Sequence, residues 1–222
     1  MPDPHIKRQI AKYALEFVED DLVIGLGSGT TAEAFIRVLA EEKPHTLCVA
    51  SSKRSEDLAT SLGLHCLNIE DVAFVDKTFD GADQVDDEKR LIKGKGGCLL
   101  REKILIDISR KVYIMIEETK RVPSLGNDVV PCEITPWGHT HTVGAIRSLG
   151  FEGEYRKNGN NTLFLTENNN LIFDVAIDAF LEGPEELHTL LKSITGIVET
   201  GLFTSTNPTI IIGLQNSCSI AY

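Results

Sequence analysis

The sequence predicts an α/β protein with a Rossmann-like, mostly parallel sheet that carries helices on both faces, joined to a smaller α+β domain. Three observations support this fold class. Short apolar runs of strand length alternate with amphipathic stretches up to residue 118, a pattern typical of parallel sheets covered on both faces. The rhythm changes after a turn-rich segment at 122–131, where strands group with two helices. A last apolar run at 209–214 has the character of a central strand.

The elements of the first part follow from local patterns in chain order. Apolar residues recur at helical spacing between Ile6 and Val18 and predict an amphipathic first helix. Glycine or aspartate closes several of the apolar runs that come next, and a polar or amphipathic stretch follows most of them. We expect strands at 22–27, 46–50, 64–69, 74–79 and 112–118, and further helices at 30–42, 53–62 and 99–109.

The second part predicts a compact, ferredoxin-like α+β domain, because its strands are grouped with two helices. The run at 209–214 is expected to return to the first sheet, which makes the larger domain discontinuous. We therefore assign residues 1–128 and 205–222 to the Rossmann-like catalytic domain and residues 129–204 to the small domain. Within the latter we expect strands at 132–135, 151–156, 161–166, 170–175 and 196–200, and helices at 138–148 and 184–192.

Composition and charge exclude several classes of protein. The 222 residues include 33 acidic and 22 basic ones, for a formal net charge of −11, whereas nucleic-acid binders usually carry a basic surface. No run approaches the roughly 18 consecutive apolar residues of a membrane span, and the N-terminus lacks the apolar core of a secretory signal. Five scattered cysteines without a CxxC pair argue against a disulfide framework and indicate a reducing, cytoplasmic setting.

The first candidate motif is GLGSGTT at 25–31, between a predicted strand and a helix. Glycines let the backbone approach a bound anion, and the following helix offers free N–H groups and the positive end of its dipole. The motif is not a Walker loop, which needs a lysine after the last glycine. It is not a complete GxGxxG either, because Thr30 occupies the place of the third glycine. By itself it predicts a phosphate site and a merely tight turn equally well.

The second motif, DGADQVD at 80–86, places two carboxylates near the end of an apolar strand. Asp80 and Asp83 are separated only by Gly81 and Ala82, so both can point into one crevice that has room for a ligand. The alternative is an aspartate-rich turn that caps the next segment. Because Asp80 directly follows the apolar run, we favour the functional interpretation.

The third motif, KGKGGCLLREK at 93–103, is another glycine-rich turn that opens a helix. Lys93 and Lys95 stand at its mouth and predict a second anion site by the same physics. Glu102 lies within the first two turns of the helix, close enough to its N-terminus to reach the crevice. The alternative is an ordinary first-turn acid favoured by the helix dipole.

One further pattern suggests a metal. His139 and His141 form an HxH pair next to Trp137. Without further nearby ligands this pair is a weak metal signal, and a helix start or an interface is the favoured interpretation.

In this order and spacing, the three motifs resemble type A ribose-5-phosphate isomerase. The likeness continues through VPCEITPWG, TENNNLIFD and ITGIVETGLF and covers almost the entire chain. The resemblance implies a metal-free aldose–ketose isomerase of the non-oxidative pentose phosphate pathway, without a cofactor. It would interconvert D-ribose 5-phosphate and D-ribulose 5-phosphate, and we expect the reaction to pass through a cis-enediolate. It also implies a sugar phosphate as the small-molecule partner and a homodimer. From charge and composition we expect no nucleic-acid and no membrane partner.

The resemblance carries roles over residue by residue. Glu102 takes the place of the catalytic base that moves a proton between neighbouring carbons. We expect Lys93 to stabilise the enediolate oxygens, Asp83 to shuttle a proton between them, and Asp80 to assist ring opening. The implied substrate-binding residues are Ser28, Gly29, Thr30, Thr31, Gly81, Ala82, Gly94, Lys95, Gly96 and Lys120.

Two departures from the family pattern carry expectations of their own. Lys95 interrupts what is usually an unbroken glycine run, and a non-glycine residue cannot freely adopt positive φ. Lys95 therefore either points outward or adds charge for the phosphate. Within the TENNNLIFD block, Glu167 and Asn169 differ from the residues usual in the family. We expect these differences to alter only a turn in the small domain, away from the reacting groups.

Rival classes meet specific obstacles. A coenzyme A transferase needs a longer acyl-CoA channel than 222 residues readily provide, and a sugar-phosphate deaminase should carry a histidine, which none of the three loops contains. A nicotinamide oxidoreductase lacks both the third glycine and an acid near the end of the second strand, where Ser51, Ser52 and Lys53 stand. A sugar-phosphate sensor that kept only the pocket would have lost the base that Glu102 supplies.

Overall fold

The structure is a computed structural model that describes residues 4–43, 45–177, 183–214 and 217–221. Its helices are α1 Pro4–Leu15, α2 Gly29–Glu42, α3 Lys53–Ser61, α4 Leu99–Asp107, α5 His139–Ser148 and α6 Pro184–Lys192. Its strands are β1 Val23–Leu26, β2 Leu47–Ala50, β3 His65–Cys66, β4 Val75–Gly81, β5 Gln84–Val85, β6 Leu91–Ile92, β7 Ser109–Glu117, β8 Asp128–Ile134, β9 Gly153–Tyr155, β10 Leu171–Ile177, β11 Ile197–Thr200, β12 Leu202–Phe203, β13 Thr209–Gly213 and β14 Cys218–Ala221. None of the described helices is both long and apolar enough to span a membrane.

The chain divides into two compact units. The first comprises Met1–Ala82, Arg101–Arg121 and Thr206–Tyr222, and the second comprises Asp83–Leu100 and Val122–Ser205. These bounds differ from the division expected from the sequence, because residues 83–100 and 122–128 group with the second unit. The reason is local packing: Ile92 and Leu125 belong to the apolar core of that unit.

The first unit contains a seven-stranded sheet in the order β14-β13-β7-β4-β1-β2-β3 among the described residues. All neighbours are parallel except β13 and β14. Strand β13 is the apolar run at 209–214, which does return to the first sheet, beside β7. The Rossmann-like prediction is thereby confirmed.

Both faces of this sheet are buried, as the continuous apolar runs of its strands require. Cys48 belongs to the core on one face, where Phe35 of α2 stacks on Phe79 of β4 with ring centroids 4.4 Å apart. The next residue, Val49, packs on the other face with Leu105 of α4. Complete burial of a side chain such as Phe79 stabilises the fold by about 1.5–3 kcal/mol.

The second unit contains the order β8-α5-β9-β10-α6-β11, and its antiparallel sheet runs β11-β8-β10-β9. This arrangement of strands and helices confirms the ferredoxin-like prediction. Its apolar core includes Phe173 of β10 and Leu191 of α6. A separate three-stranded sheet, β12-β6-β5, was not predicted, because strands of two residues leave no periodic signal.

Two expectations about individual elements were wrong. Strand β4 does not end at residue 79 but continues through Gly81, so Asp80 is the next-to-last residue of the strand. The strand expected at 161–166 is absent among the described residues. Leu163 and Leu165 each form only an isolated bridge, because asparagine-rich turns at 158–161 and 167–170 leave too little chain between them for a ladder.

Candidate active site

The centre of the first unit's candidate site is a hydrogen bond between Ser28 and Glu102. Ser28 is the N-cap residue of α2, and its extended backbone (φ −122°, ψ 171°) is usual for that position. Its hydroxyl makes no capping bond to the helix. The hydroxyl instead donates to Oε1 of Glu102 at 2.5 Å. Glu102 is 4% exposed, so this contact orients a buried carboxylate next to the N-terminus of a helix.

Asp80 fixes the loop before α2 from the neighbouring strand. Its Oδ1 accepts the main-chain N–H of Ser28 at 3.1 Å and that of Gly81 at 2.7 Å. The approach of the loop is close enough that a Cβ built on Gly27 would lie 2.0 Å from Cγ of Asp80. Glycine at this position is therefore required for the contact. Ser28 thus joins Asp80, through its N–H, to Glu102, through its hydroxyl.

A buried lysine stands beside the first turn of α2. Nζ of Lys7 donates to Oγ1 of Thr30 at 2.5 Å and lies 3.8 Å from Oε1 of Glu117. Lys7 and Thr31 are 8% and 7% exposed. Sequence reasoning missed Lys7, although a signal existed: it shares a helical face with Ile10 and residues 11 and 14, which are fully buried.

Lys120 lies at the carboxyl end of β7, in a short 3-10 helix, Glu118–Lys120. Its ammonium donates to the carbonyl oxygen of Ala82 at 2.8 Å. Gly81 faces α2: a Cβ built on it would lie 3.7 Å from Cβ of Thr31. The first unit therefore brings Lys120, Ala82, Gly81 and Thr31 to the carboxyl end of the parallel strands, where open α/β sheets bind ligands.

The second unit holds Asp83, Lys93 and the second glycine loop, defined here as residues 93–97. Oδ2 of Asp83 accepts the N–H of Lys95 at 3.0 Å. Lys93 is 3% exposed, and its ammonium lies 5.6 Å from the ring centroid of Phe203. The main-chain N–H of Lys93 donates to the carbonyl oxygen of Gly201. The loop is thus bound on one side to a carboxylate that the sequence had singled out.

The structure explains how Lys95 is accommodated in this loop. Positive φ occurs at Gly94 and Gly97 but not at Lys95, so the interruption of the glycine run does not fall on a position that needs glycine. The Lys95 side chain is about half exposed, and its ammonium lies 2.6 Å from Oδ2 of Asp128. Its charge is directed to that carboxylate.

The HxH pair serves a helix start. His139 is the first residue of α5, and its Nδ1 lies 2.7 Å from the hydroxyl of Tyr155. Burial raises the pKa of the Tyr155 phenol, and Arg147 lowers it to a smaller extent, so the hydroxyl stays protonated at neutral pH and can donate to His139. Within the described ranges no group of three or more His, Cys, Asp or Glu residues could hold a metal ion.

Fold and site together define a class of protein. A buried carboxylate, a second carboxylate bound to main-chain N–H groups, and a helix N-terminus with a buried lysine all occur at the carboxyl ends of parallel strands. Such a site suits proton transfer on an anionic small molecule. The first unit is accordingly that of an α/β enzyme for acid–base chemistry.

Comparison with known proteins narrows this class. The family model for ribose 5-phosphate isomerase A (phosphoriboisomerase A) matches residues 47–217. Ribose-5-phosphate isomerase A of Protochlamydia amoebophila is 38% identical over 97% of this chain and 94% of its own. The Bacillus cereus protein of the same name is 42% identical over 96% and 97%. This chain belongs to the ribose 5-phosphate isomerase A family.

Solved structures agree with that assignment. Ribose 5-phosphate isomerase A from Methanocaldococcus jannaschii superposes with a TM-score of 0.92 at 30% identity, over 99% of both chains. A D-ribose-5-phosphate isomerase in complex with phospho-erythronic acid gives a TM-score of 0.93 at 30% identity, again over 99% of both chains.

Proposed function

We propose that the chain interconverts D-ribose 5-phosphate and D-ribulose 5-phosphate, with Glu102 as the base that carries a proton between C1 and C2. Isomerisation is the activity for which the family is named. The observation that carries this proposal is the buried carboxylate of Glu102, held by the Ser28 hydroxyl at 2.5 Å. Since C1 and C2 are neighbours, one fixed carboxylate can remove the proton from the aldose and return it to the adjacent carbon through a cis-enediolate. General acid–base catalysis of this kind contributes about 10²–10⁴-fold.

The phosphate group fits the N-terminus of α2. The first N–H groups of a helix and the positive end of its dipole attract an anion, and Ser28 leaves them without a side-chain cap. Thr30 and Lys7 stand there in mutual contact. We assign the phosphate to Ser28, Gly29, Thr30 and Thr31, with charge from Lys7 and Lys120.

The remaining roles follow the chemistry that an open-chain sugar requires. Asp80 is locked by two N–H groups, and we assign it to opening the furanose ring. Asp83 moves a proton between the two enediolate oxygens, and Lys93 stabilises the charge that develops on them. We assign the main chain around these residues to substrate binding, at Gly81, Ala82, Gly94, Lys95 and Gly96.

A proton shuttle of this kind requires neither a metal nor a cofactor, and we include none. We further propose that the enzyme works as a homodimer in the cytoplasm. The likeness to the family and the prevalence of two-fold oligomers support the dimer. The described cysteines form no disulfide among themselves, which supports a reducing compartment.

One assay tests the proposed activity. Purified protein is treated with EDTA and incubated with ribose 5-phosphate while ketose formation is measured. We expect full activity without added metal. Absence of ketose would contradict the proposed reaction, and activity that EDTA removes and a divalent cation restores would contradict the metal-free mechanism. The oligomeric state is measured separately, by sedimentation.

A further inference from the structure

The TENNNLIFD block, residues 166–174, comprises a turn and the first part of strand β10. Glu167 and Asn169 do lie in a turn, as expected. The block continues into β10 and its last residue, Asp174, faces Arg156. Nε of Arg156 donates to Oδ2 of Asp174 at 3.0 Å, and Nη2 of the same guanidinium bonds to Oδ1. This two-point ion pair is largely buried, with side chains 14% and 20% exposed, so the guanidinium has a fixed orientation.

The third nitrogen of this guanidinium holds the second glycine loop. Nη1 of Arg156 donates to the carbonyl oxygen of Gly94 at 2.7 Å and to that of Lys95 at 2.9 Å. These contacts join residues 62 and 61 positions apart in the chain. Arg156 therefore connects the last residue of the TENNNLIFD block to the loop that carries Lys93.

The two carbonyl contacts determine where the loop's N–H groups point. In a planar trans peptide the C=O of one residue and the N–H of the next point in opposite directions. The carbonyl of Gly94 faces Arg156, and the N–H of Lys95 accordingly faces away, where it meets Asp83 at 3.0 Å. By the same geometry, the carbonyl of Lys95 faces Arg156 and the N–H of Gly96 points away from the guanidinium, as does the N–H of Lys95, which meets Asp83.

A second contact limits the loop's freedom at its other end. A Cβ built on Gly97 would lie 2.5 Å from the ring of Phe164, so the ring closes directly over the main chain. The N–H of Phe164 donates to the carbonyl oxygen of Arg156 at 2.9 Å. The same segment that supplies the guanidinium thus also supplies the ring that packs on Gly97.

We propose that Arg156, held by Asp174, is a positioning residue that sets the second glycine loop so that the N–H of Gly96 donates to an enediolate oxygen beside Asp83. This inference rests on the proposed isomerisation. Arg156 does not itself touch the sugar; it acts through two peptide groups. Lysine cannot replace it, because an ammonium lacks the planar fork that bonds a carboxylate and two carbonyls together.

The test uses Arg156→Lys and Asp174→Asn in the full-length protein, with Arg147→Lys as the matched control. Arg147 lies in the same unit, 5.8 Å from the ring centroid of Phe173, and forms no hydrogen bond or ion pair with the loop among the described residues. For each variant we measure kcat and KM with ribose 5-phosphate, the Kd of phospho-erythronic acid, the Kd of inorganic phosphate, and the melting temperature. The carboxylate of phospho-erythronic acid presents two oxygens on one carbon, as a probe of donors that face enediolate oxygens.

Both test variants should lose about 10- to 100-fold in kcat, the scale expected when a binding group is misplaced. Affinity for phospho-erythronic acid should fall in parallel, whereas KM and the affinity for inorganic phosphate should stay within about three-fold, because the loss concerns the charge that develops in the reaction. Arg147→Lys should match the wild type in all these quantities.

Three results would overturn the inference: a folded Arg156→Lys or Asp174→Asn protein with wild-type kcat and analogue affinity, an equal loss in Arg147→Lys, or an equal loss of inorganic phosphate binding. If Arg156→Lys fails to fold, Asp174→Asn alone decides, since it preserves the shape of the side chain. A wild-type protein that forms no ketose would instead refute the proposed function, which separates the two failures.

Discussion

The first glycine loop (25–31) leads into α2 and the second (93–97) precedes α4. Both contact an aspartate, yet different parts of the chain hold them. In the first, Asp80 of the adjacent parallel strand accepts the N–H of Ser28. In the second, Arg156 donates to the carbonyl oxygens of Gly94 and Lys95, which lie 62 and 61 positions before it in the chain. The neighbour of the first loop follows from the rule that parallel strands end at one edge. No such rule predicts the neighbour of the second.

The comparison also separates chemistry from support. The first loop contacts the carboxylate of Glu102 directly, through the Ser28 hydroxyl. The second contacts Asp83 through a main-chain N–H and is oriented by a side chain behind it. Substitutions in the two loops and in the residues that hold them should therefore be compared in two quantities, kcat and the free energy of unfolding.

The largest effect is expected at the base itself. Glu102→Gln should lower kcat by about 10³–10⁴-fold, because the proton acceptor is lost while the shape remains. Binding of phospho-erythronic acid, measured by calorimetry, should stay within about ten-fold of the wild type. Glu42→Gln, at the exposed end of α2, serves as the control with unchanged turnover. Near-native kcat in Glu102→Gln would remove Glu102 from the mechanism.

The next largest effect concerns charge in the second unit. Lys93→Ala should reduce kcat by about 10²–10³-fold, as loss of a group that stabilises a developing oxyanion does, and should also raise KM. Steady-state kinetics on purified variants measure both. Lys157→Ala, an exposed lysine of the same unit, should leave both unchanged. If KM rises while kcat stays the same, Lys93 is an anion clamp and not an electrophile.

Ser28 and Ser52 each precede a helix but have different roles: Ser28 orients the Glu102 base, whereas Ser52 caps its helix. Ser28→Ala removes the donor to Glu102 and should lower kcat by about ten-fold. Any loss of unfolding free energy comes from the missing bond to a buried carboxylate and not from a missing helix cap. Ser52 caps α3 by accepting the N–H of Ser55. Ser52→Ala should cost about 1 kcal/mol in urea unfolding while kcat falls less. A smaller loss of kcat in Ser28→Ala than in Ser52→Ala would contradict the role of Ser28 in orienting the base.

Gly29 and Gly97 have similar positive φ angles but different surroundings, so alanine substitutions there compare the stability of the two loops. Gly29 has φ +80° with nothing within 4 Å of a built Cβ, whereas Gly97 has φ +85° with the Phe164 ring at 2.5 Å. Alanine should cost about 1 kcal/mol at Gly29 through strain and about 1–3 kcal/mol more at Gly97 through overpacking. Equal losses in denaturant unfolding would show that Phe164 does not constrain the second loop.

The smallest effect is expected at the Lys95 side chain. Lys95→Met removes an ion pair with Asp128 that is half exposed on the lysine side, worth less than about 1 kcal/mol in unfolding free energy. KM for ribose 5-phosphate should change less than about three-fold, because the ammonium is directed to Asp128. A ten-fold rise in KM would instead assign the ammonium to the substrate's phosphate.

Much of this architecture was predictable from the sequence. Periodicity located all six described helices and the longer strands to within a few residues, and strand ends pointed to Asp80, Asp83 and Glu102. The two-residue strands of the sheet β12-β6-β5 were not predictable, because they are stabilised by pairing between segments distant in sequence rather than by local pattern.

The site shows the same limit. Lys7 was missed although it lies on the buried face of α1, because an isolated lysine in a helix usually extends its ammonium to solvent. Arg156 carried no local signal, since its partners at 94, 95 and 174 come from separate segments. Only tertiary structure brings such residues together, whereas a glycine loop between a strand and a helix can be recognised from a few consecutive residues.

Solvent deuterium tests the central claim most directly, namely that Glu102 transfers a proton between C1 and C2. The alternative is direct migration of a hydride from one carbon to the other. The reaction is run in D₂O, and NMR measures deuterium at C1 of the ketose and C2 of the aldose. We predict that the wild type incorporates deuterium at these carbons and that Glu102→Gln does not over the same time. Turnover by the wild type with no deuterium at either carbon, or unchanged incorporation in Glu102→Gln, would contradict the account.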